Sequence, residues 1–127
     1  MVDINVMFKE ITPIVADIKV ADKKEIAKYS GAFSNHKVYA TKRELTKLFG
    51  NPLKGNCGKV QYHWFIKDKT GNIFEIYDYN NEKKLDNDET VAWHIGYQKP
   101  YNNESAISLW FDLRNNISVL RMEEQLN

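Results

Sequence analysis

"GKVQYHWFIKDKTGNIFEIYDYN", residues 58–80, decides the fold. Apolar and polar positions alternate on both sides of "KDKTGN", and strict alternation is the signature of half-buried strands. The connector suits a type I turn followed by Gly71 in the left-handed conformation, with a bulge. That turn sets the register and places Asp68 opposite Asn72. Val60, Tyr62, Trp64 and Ile66 then share a face with Phe74, Ile76 and Asp78. Gln61, His63 and Phe65 share the other with Ile73, Glu75 and Tyr77. A slip of one residue would exchange partners across the sheet.

Outward from this hairpin, "VAWHIGYQ" (91–98) is a third strand, with Val91, Trp93, Ile95 and Tyr97 on one side and His94 on the other. Between them "NNEKKLDNDET" (80–90) is polar and charged, the composition of a mobile surface loop. "HKVYA" (36–40) is a short strand. "TKRELTKLFGNP" (41–52) is a helix: Thr41 and Glu44 have capping-box spacing, Leu45, Leu48 and Phe49 form an apolar face, and Gly50 with Pro52 stops it. Nearer the start, "VDINVMF" (2–8) alternates like a strand. Thr12-Pro13 resembles a helix entry, and Asp22 caps a short helix over "KKEIAKYS" ended by Gly31. After Pro100, Asn102 or Asn103 caps a long helix with Glu104 in its first turn. Ala106, Trp110, Leu113, Ile117 and Leu120 form its apolar stripe.

These elements predict one α+β domain over residues 1–127: a small, mainly antiparallel sheet with helices packed on one face and a long C-terminal helix. The length suffices for a hydrophobic core without disulfide or metal staples. The lone Cys57 excludes an internal disulfide and suits a reducing compartment. No basic, apolar leader opens the chain, and no stretch reaches the roughly 18 apolar residues of a membrane span. The expected location is therefore cytoplasmic, that of the host cell if the chain is viral. Two sequons, at Asn103 and Asn116, carry no weight without a secretory signal.

Net charge is +1, yet between positions 37 and 59 six basic residues stand against one acid, Glu44. Such a bias attracts phosphates, although a solvated helix face has the same composition. "GNCGKV" (55–60) fails as a phosphate-binding loop. Leu53 stands where a glycine is needed and Val60 where Ser or Thr is needed, and the segment enters a strand rather than a helix. His36, His63 and His94 lack the local spacing of a zinc site, and Cys57 has no base beside it, so no metal and no cofactor are expected. His63, Glu75, Asp78 and His94 lie on neighbouring strands among Tyr62, Trp64, Tyr77 and Trp93, the make-up of a small-ligand pocket. The plain structural alternative is that Asp78 accepts a bond from a tyrosine and His94 caps a sheet edge. Glu75 and Asp78 face opposite sides and do not form a paired-carboxylate site.

Four segments together, "LFGNP" (48–52), "GKVQYHWFI" (58–66), "GNIFEIYDYN" (71–80) and "WHIGY" (93–97), resemble a loose group of small proteins encoded by phages and large DNA viruses. The group's pattern is a lysine-led strand with a tryptophan, a glycine turn, an "IYDW"-like strand and a "WHIGG"-like segment. This chain has Tyr79 for the usual tryptophan and Tyr97 for the second glycine. The resemblance implies a viral origin without an activity, and marks Lys59, Trp64, Asp78, Trp93, His94 and Gly96.

The expectation is a non-enzymatic viral accessory protein that binds a host protein or a small phosphorylated ligand, with counter-defence as one role. Its ligand-binding residues would be Lys42, Arg43, Lys47, Lys59, Tyr62, Trp64, Asp78, Trp93 and His94. Self-association as a homo-oligomer would help such a small chain enclose a pocket. The runner-up is a small hydrolase or nuclease using His63, Asp78 and His94. A single-stranded nucleic-acid binder comes third, because net charge is near zero and no recognition motif is visible.

Overall fold

A computed structural model describes residues 18–29, 31–55, 58–68, 70–79, 84–98 and 103–126. The strand expected over 2–8, the helix entry at Thr12-Pro13, Cys57, the Pro100 turn and a cap at Asn102 lie outside them.

The hairpin anchors the molecule. Strands β4 (Tyr62–Lys67) and β5 (Ile73–Tyr77) pair with Trp64 opposite Ile76 and Phe65 opposite Glu75, the register expected from the turn. The Asp68 N–H donates to Asn72 O at 3.1 Å. The Asp68 carboxylate accepts from the Thr70 and Asn72 N–H groups, each at 3.0 Å. Gly71 takes φ +89°, which its missing Cβ permits. Around this pair run β1 (Lys19–Val20), β2 (Gly31–Thr41), β3 (Leu53–Lys54) and β6 (Thr90–Gln98). The sheet order is β1-β4-β5-β6-β2, β3 also pairs with β4, and every pairing is antiparallel.

Three helices complete the described fold: α1 (Lys23–Ala27), α2 (Lys42–Phe49) and α3 (Asn103–Leu126). Both expected capping boxes are present, at Asp22 with Glu25 and at Thr41 with Glu44. Gly50 ends α2 at φ +83°. Helix α1 stops before Gly31, which opens β2 instead. The ring of Tyr29 lies so close that a Cβ on Gly31 would meet it at 2.6 Å. No helix among the described residues is long and apolar enough to cross a membrane.

The core fills the space between the inner sheet face and helices α2 and α3. Trp64, Ile66, Phe74, Ile76, Trp93 and Ile95 meet Leu45, Phe49, Leu109, Leu113 and Ile117 there. Each such side chain contributes roughly 1.5–3 kcal/mol on burial. The stripe of α3 is Ala106, Leu109, Leu113 and Ile117, so Leu109 replaces the expected Trp110. Trp110 is half-buried at the rim, and its Nε1–H donates to Lys37 O of β2 at 2.9 Å. Leu120 is half-buried as well. Asn116 is buried mid-helix, which closes its sequon to modification. On the outer face a smaller cluster packs Ile26 and Tyr29 over Ala21, Phe65 and Ile73. Helix α1 therefore sits across the sheet from the two larger helices.

The described end of the loop expected to be mobile, from Lys84, is anchored. Leu85 is buried in the core, and its N–H donates to Gln61 Oε1 at 2.9 Å.

Candidate functional site

The sequence-derived ligand residues do not converge. Trp64 and Trp93 are 2% and 0% exposed and contact each other edge-to-face at 5.3 Å. Their indole N–H groups donate to Gly50 O and Ala40 O. Both are core residues that present no ring face to solvent, because alternation aims them at α2 and α3. Asp78 is 0% exposed. Its Oδ1 accepts from the backbone N–H groups of Gln61 at 3.0 Å and Tyr62 at 2.8 Å, so it ties the start of β4 to the end of β5. The acceptor role anticipated for Asp78 is present, and one of its two donors is the backbone N–H of a tyrosine, Tyr62.

The basic residues of α2 serve local partners. Arg43 makes a bidentate pair with Asp88 at 2.6 and 2.9 Å. Lys47 pairs with Glu124. The Lys42 ammonium lies 4.0 Å above the half-buried ring of Tyr62. The exposed ion pairs add little to stability, yet they leave Arg43 and Lys47 less electrostatic attraction for an incoming phosphate.

The outer sheet face gathers the remaining polar groups into transverse rows. In the first row Leu53, His63, Tyr77, His94 and Lys37 stand side by side on β3, β4, β5, β6 and β2. His63 Nδ1 lies 2.9 Å from Glu75 Oε2. His94 stacks on Tyr77 at 5.4 Å and 23°. Burial, and then the nearby Lys37 ammonium, push the His94 pKa below its ordinary value, while Asp78 opposes the shift. Burial and Glu75 push the Tyr77 pKa up. Near neutral pH this row therefore presents an uncharged imidazole on an uncharged phenol.

Beyond this row Ala92 and Tyr39 pair across β6 and β2. Tyr79 lies two residues beyond Tyr77, so alternation returns it to the same face, and its ring meets His94 edge-on at 5.7 Å. Tyr39 is 64% exposed and Tyr79 40%. Ala92, beside Tyr39, is small and half-exposed. His94 and Lys37 pair two positions along the same two strands. The Lys59 ammonium lies over the Tyr79 ring, 6.0 Å from its centroid. Of the expected ligand residues, Lys59 and His94 lie beside Tyr79. Lys37, Tyr39, Tyr79 and Ala92 were not singled out as ligand residues from the sequence.

His63 and His94 lie two strands apart, about 10 Å at the backbone, with the Tyr77 ring between them. Asp78 is fully buried. Among the described residues no group of three His, Cys, Asp or Glu side chains is placed to hold a metal ion. Comparison with protein-family models, with curated proteins and with solved structures found no match, so the site must be interpreted from its own geometry.

Proposed function

We propose that this chain acts by binding a small phosphorylated molecule with a planar ring, and that the ring enters the notch between Tyr39 and Tyr79. The observation that carries this reading is a pair of exposed tyrosines near one sheet face: Tyr39, paired with Ala92, and Tyr79, whose ring meets His94, two positions along β6 from Ala92. Continuing the line of β5 past Tyr77 would set Tyr79 beside Ala92, two strand spacings or about 10 Å from Tyr39 at the backbone. A ring in van der Waals contact on both sides needs about 7–8 Å between the flanking planes. Both tyrosines are exposed enough to lean inward by the difference. Lys37 and Lys59 supply positive charge at the rim, and neither makes an ion pair among the described residues. Two rings and two ammonium groups match one ring-and-phosphate unit better than a nucleic-acid strand, which needs a track of successive platforms. Sequestering such a molecule would suit the accessory role implied by the viral resemblance.

The test is calorimetric titration with the four ribonucleoside 5′-monophosphates, on the native chain and on Ala92→Leu. The leucine side chain would occupy the space between the two rings. Expected is saturable binding by the native chain and at least a tenfold loss in the variant, with Tm changed by no more than about 4 °C, because the site is partly exposed. Equal binding by both proteins, or none by the native chain at millimolar nucleotide, refutes the notch.

A further inference from the structure

We infer that Lys37 and His94 together form the phosphate seat of the notch, selective for a terminal phosphate monoester, and that filling it takes a proton onto His94. This rests on the ring-binding reading above and assigns the other half of the ligand. Lys37 and His94 are direct cross-strand partners on β2 and β6. Lys37 O is turned outward, away from β6, to accept from Trp110. The pair is therefore of the non-hydrogen-bonded kind, which brings facing side chains closest. Tyr39 and Ala92 are the next such pair, so an anion between Lys37 and His94 lies one step from the notch floor.

The groups that face His94 set the sign of the proton effect. Lys37 on β2 disfavours imidazolium, as does burial. Asp78, after β5, favours it. Tyr77 is neutral beneath the ring, and Tyr79 meets its edge with Lys59 beyond. A dianion placed on Lys37 cancels the lysine's repulsion, which adds to the larger effect of burial, and gives the His94 N–H groups an acceptor. Bound His94 is thus protonated up to a higher pH than free His94. Affinity rises as pH falls between the two values, by up to about tenfold per pH unit. A nucleoside, which has no phosphate, gains nothing from this. A diester carries one charge fewer and gains less.

The experiment compares the ribonucleoside monophosphates with their parent nucleosides at pH 6, 7 and 8, on the native chain, His94→Asn and Lys37→Met. Asparagine keeps a planar hydrogen-bonding group but cannot titrate. The ligand's own second ionisation, near pH 6, is common to all three proteins. The ratio of native to His94→Asn affinity therefore isolates the histidine. Expected is a ratio that grows about tenfold from pH 8 to pH 6, and about a tenfold loss of monophosphate affinity in Lys37→Met at every pH. Nucleosides should bind more weakly, equally to all three proteins and independently of pH. Proton uptake should also appear as a binding heat that depends on the ionisation enthalpy of the buffer. Nucleosides bound as tightly as monophosphates, or a pH-independent ratio, overturns the phosphate seat and leaves the notch standing. Failure of both ligand classes to bind removes the notch and the seat together.

Discussion

Replacing Glu44 tests how α2 is joined to α3. Its carboxylate is buried and accepts from the Thr41 N–H at 2.9 Å, from Arg121 Nη2 at 3.1 Å and from Arg121 Nε at 2.6 Å. Glu44→Ala removes the capping box, worth about 1 kcal/mol. It also removes a charged pair that would be worth about 3–5 kcal/mol if fully buried. Arg121 is half exposed, however, and rehydrates when released. That lowers the pair to about 1–2 kcal/mol, and the expected total is about 2–3 kcal/mol. Glu44→Gln keeps an acceptor for Thr41 and should cost about 1 kcal/mol. Urea denaturation of Glu44→Ala, Arg121→Met and the double variant gives the coupling, expected near 1 kcal/mol. Burial alone would raise the Glu44 pKa, but the Arg121 guanidinium and the Thr41 amide outweigh it and hold the value below the ordinary one. Its folded value is thus below its unfolded value. The contribution is complete above the unfolded value, about 4.3, and disappears as pH falls through the folded one. The gap between native chain and Glu44→Gln should therefore close in acid. A Glu44→Ala cost under about 0.5 kcal/mol, or a pH-independent gap, would falsify this account.

Three further substitutions probe other parts of the fold. Asp78→Ala should strand two part-buried backbone N–H groups and cost about 2–3 kcal/mol in urea denaturation, whereas Asp78→Asn keeps an acceptor and costs about 1 kcal/mol; equal losses would show that Oδ1 is not the anchor. Asn116 is buried, with no partner for Oδ1 among the described residues, so Asn116→Leu should raise stability by about 1 kcal/mol and increase Tm; a lower Tm would count against an unsatisfied amide. Gly50 adopts φ +83°, ψ −170°, with nothing within 4 Å of where a Cβ would sit. Gly50→Ala should therefore cost about 1–3 kcal/mol through backbone strain alone, and an unchanged midpoint would rule the strain out.

The hairpin register and the α2 capping box could be read from the sequence because their causes are local. Asp68 and Gly71 set the turn, and Thr41 and Glu44 lie within one turn of each other. The stripe of α3 was ambiguous by one position. Starting from Ala106, steps of three or four residues both reach Leu113, through Leu109 or Trp110. The choice depends on where the rim of β2 falls, which is long-range information. For Trp64 and Trp93, alternation identified each shared face but not which face lies against the helices. The notch was hidden for a related reason. Tyr39 and Ala92 are 53 positions apart in sequence, and their alignment lies beyond an irregularity between Phe33 and Lys37. There Ser34 Oγ donates to Ile95 O at 2.6 Å. No local signal announces such a shift in pairing.

Strand β2 is the longest strand and forms one end of the sheet among the described residues. Its outward carbonyls at Lys37 and Tyr39 accept from Trp110 Nε1 and Arg121 Nη2 of α3. A bare rim of this length is a template for a foreign strand, and natural sheets commonly cover it. Here the guard follows every described strand in chain order. A nascent or partly unfolded molecule without a docked α3 would expose both the rim and the core beneath it, and could zip onto its own kind. Once α3 seats, the rim is covered at Lys37 and Tyr39. The helix that completes the core is thus also the one that shields the sheet's longest strand.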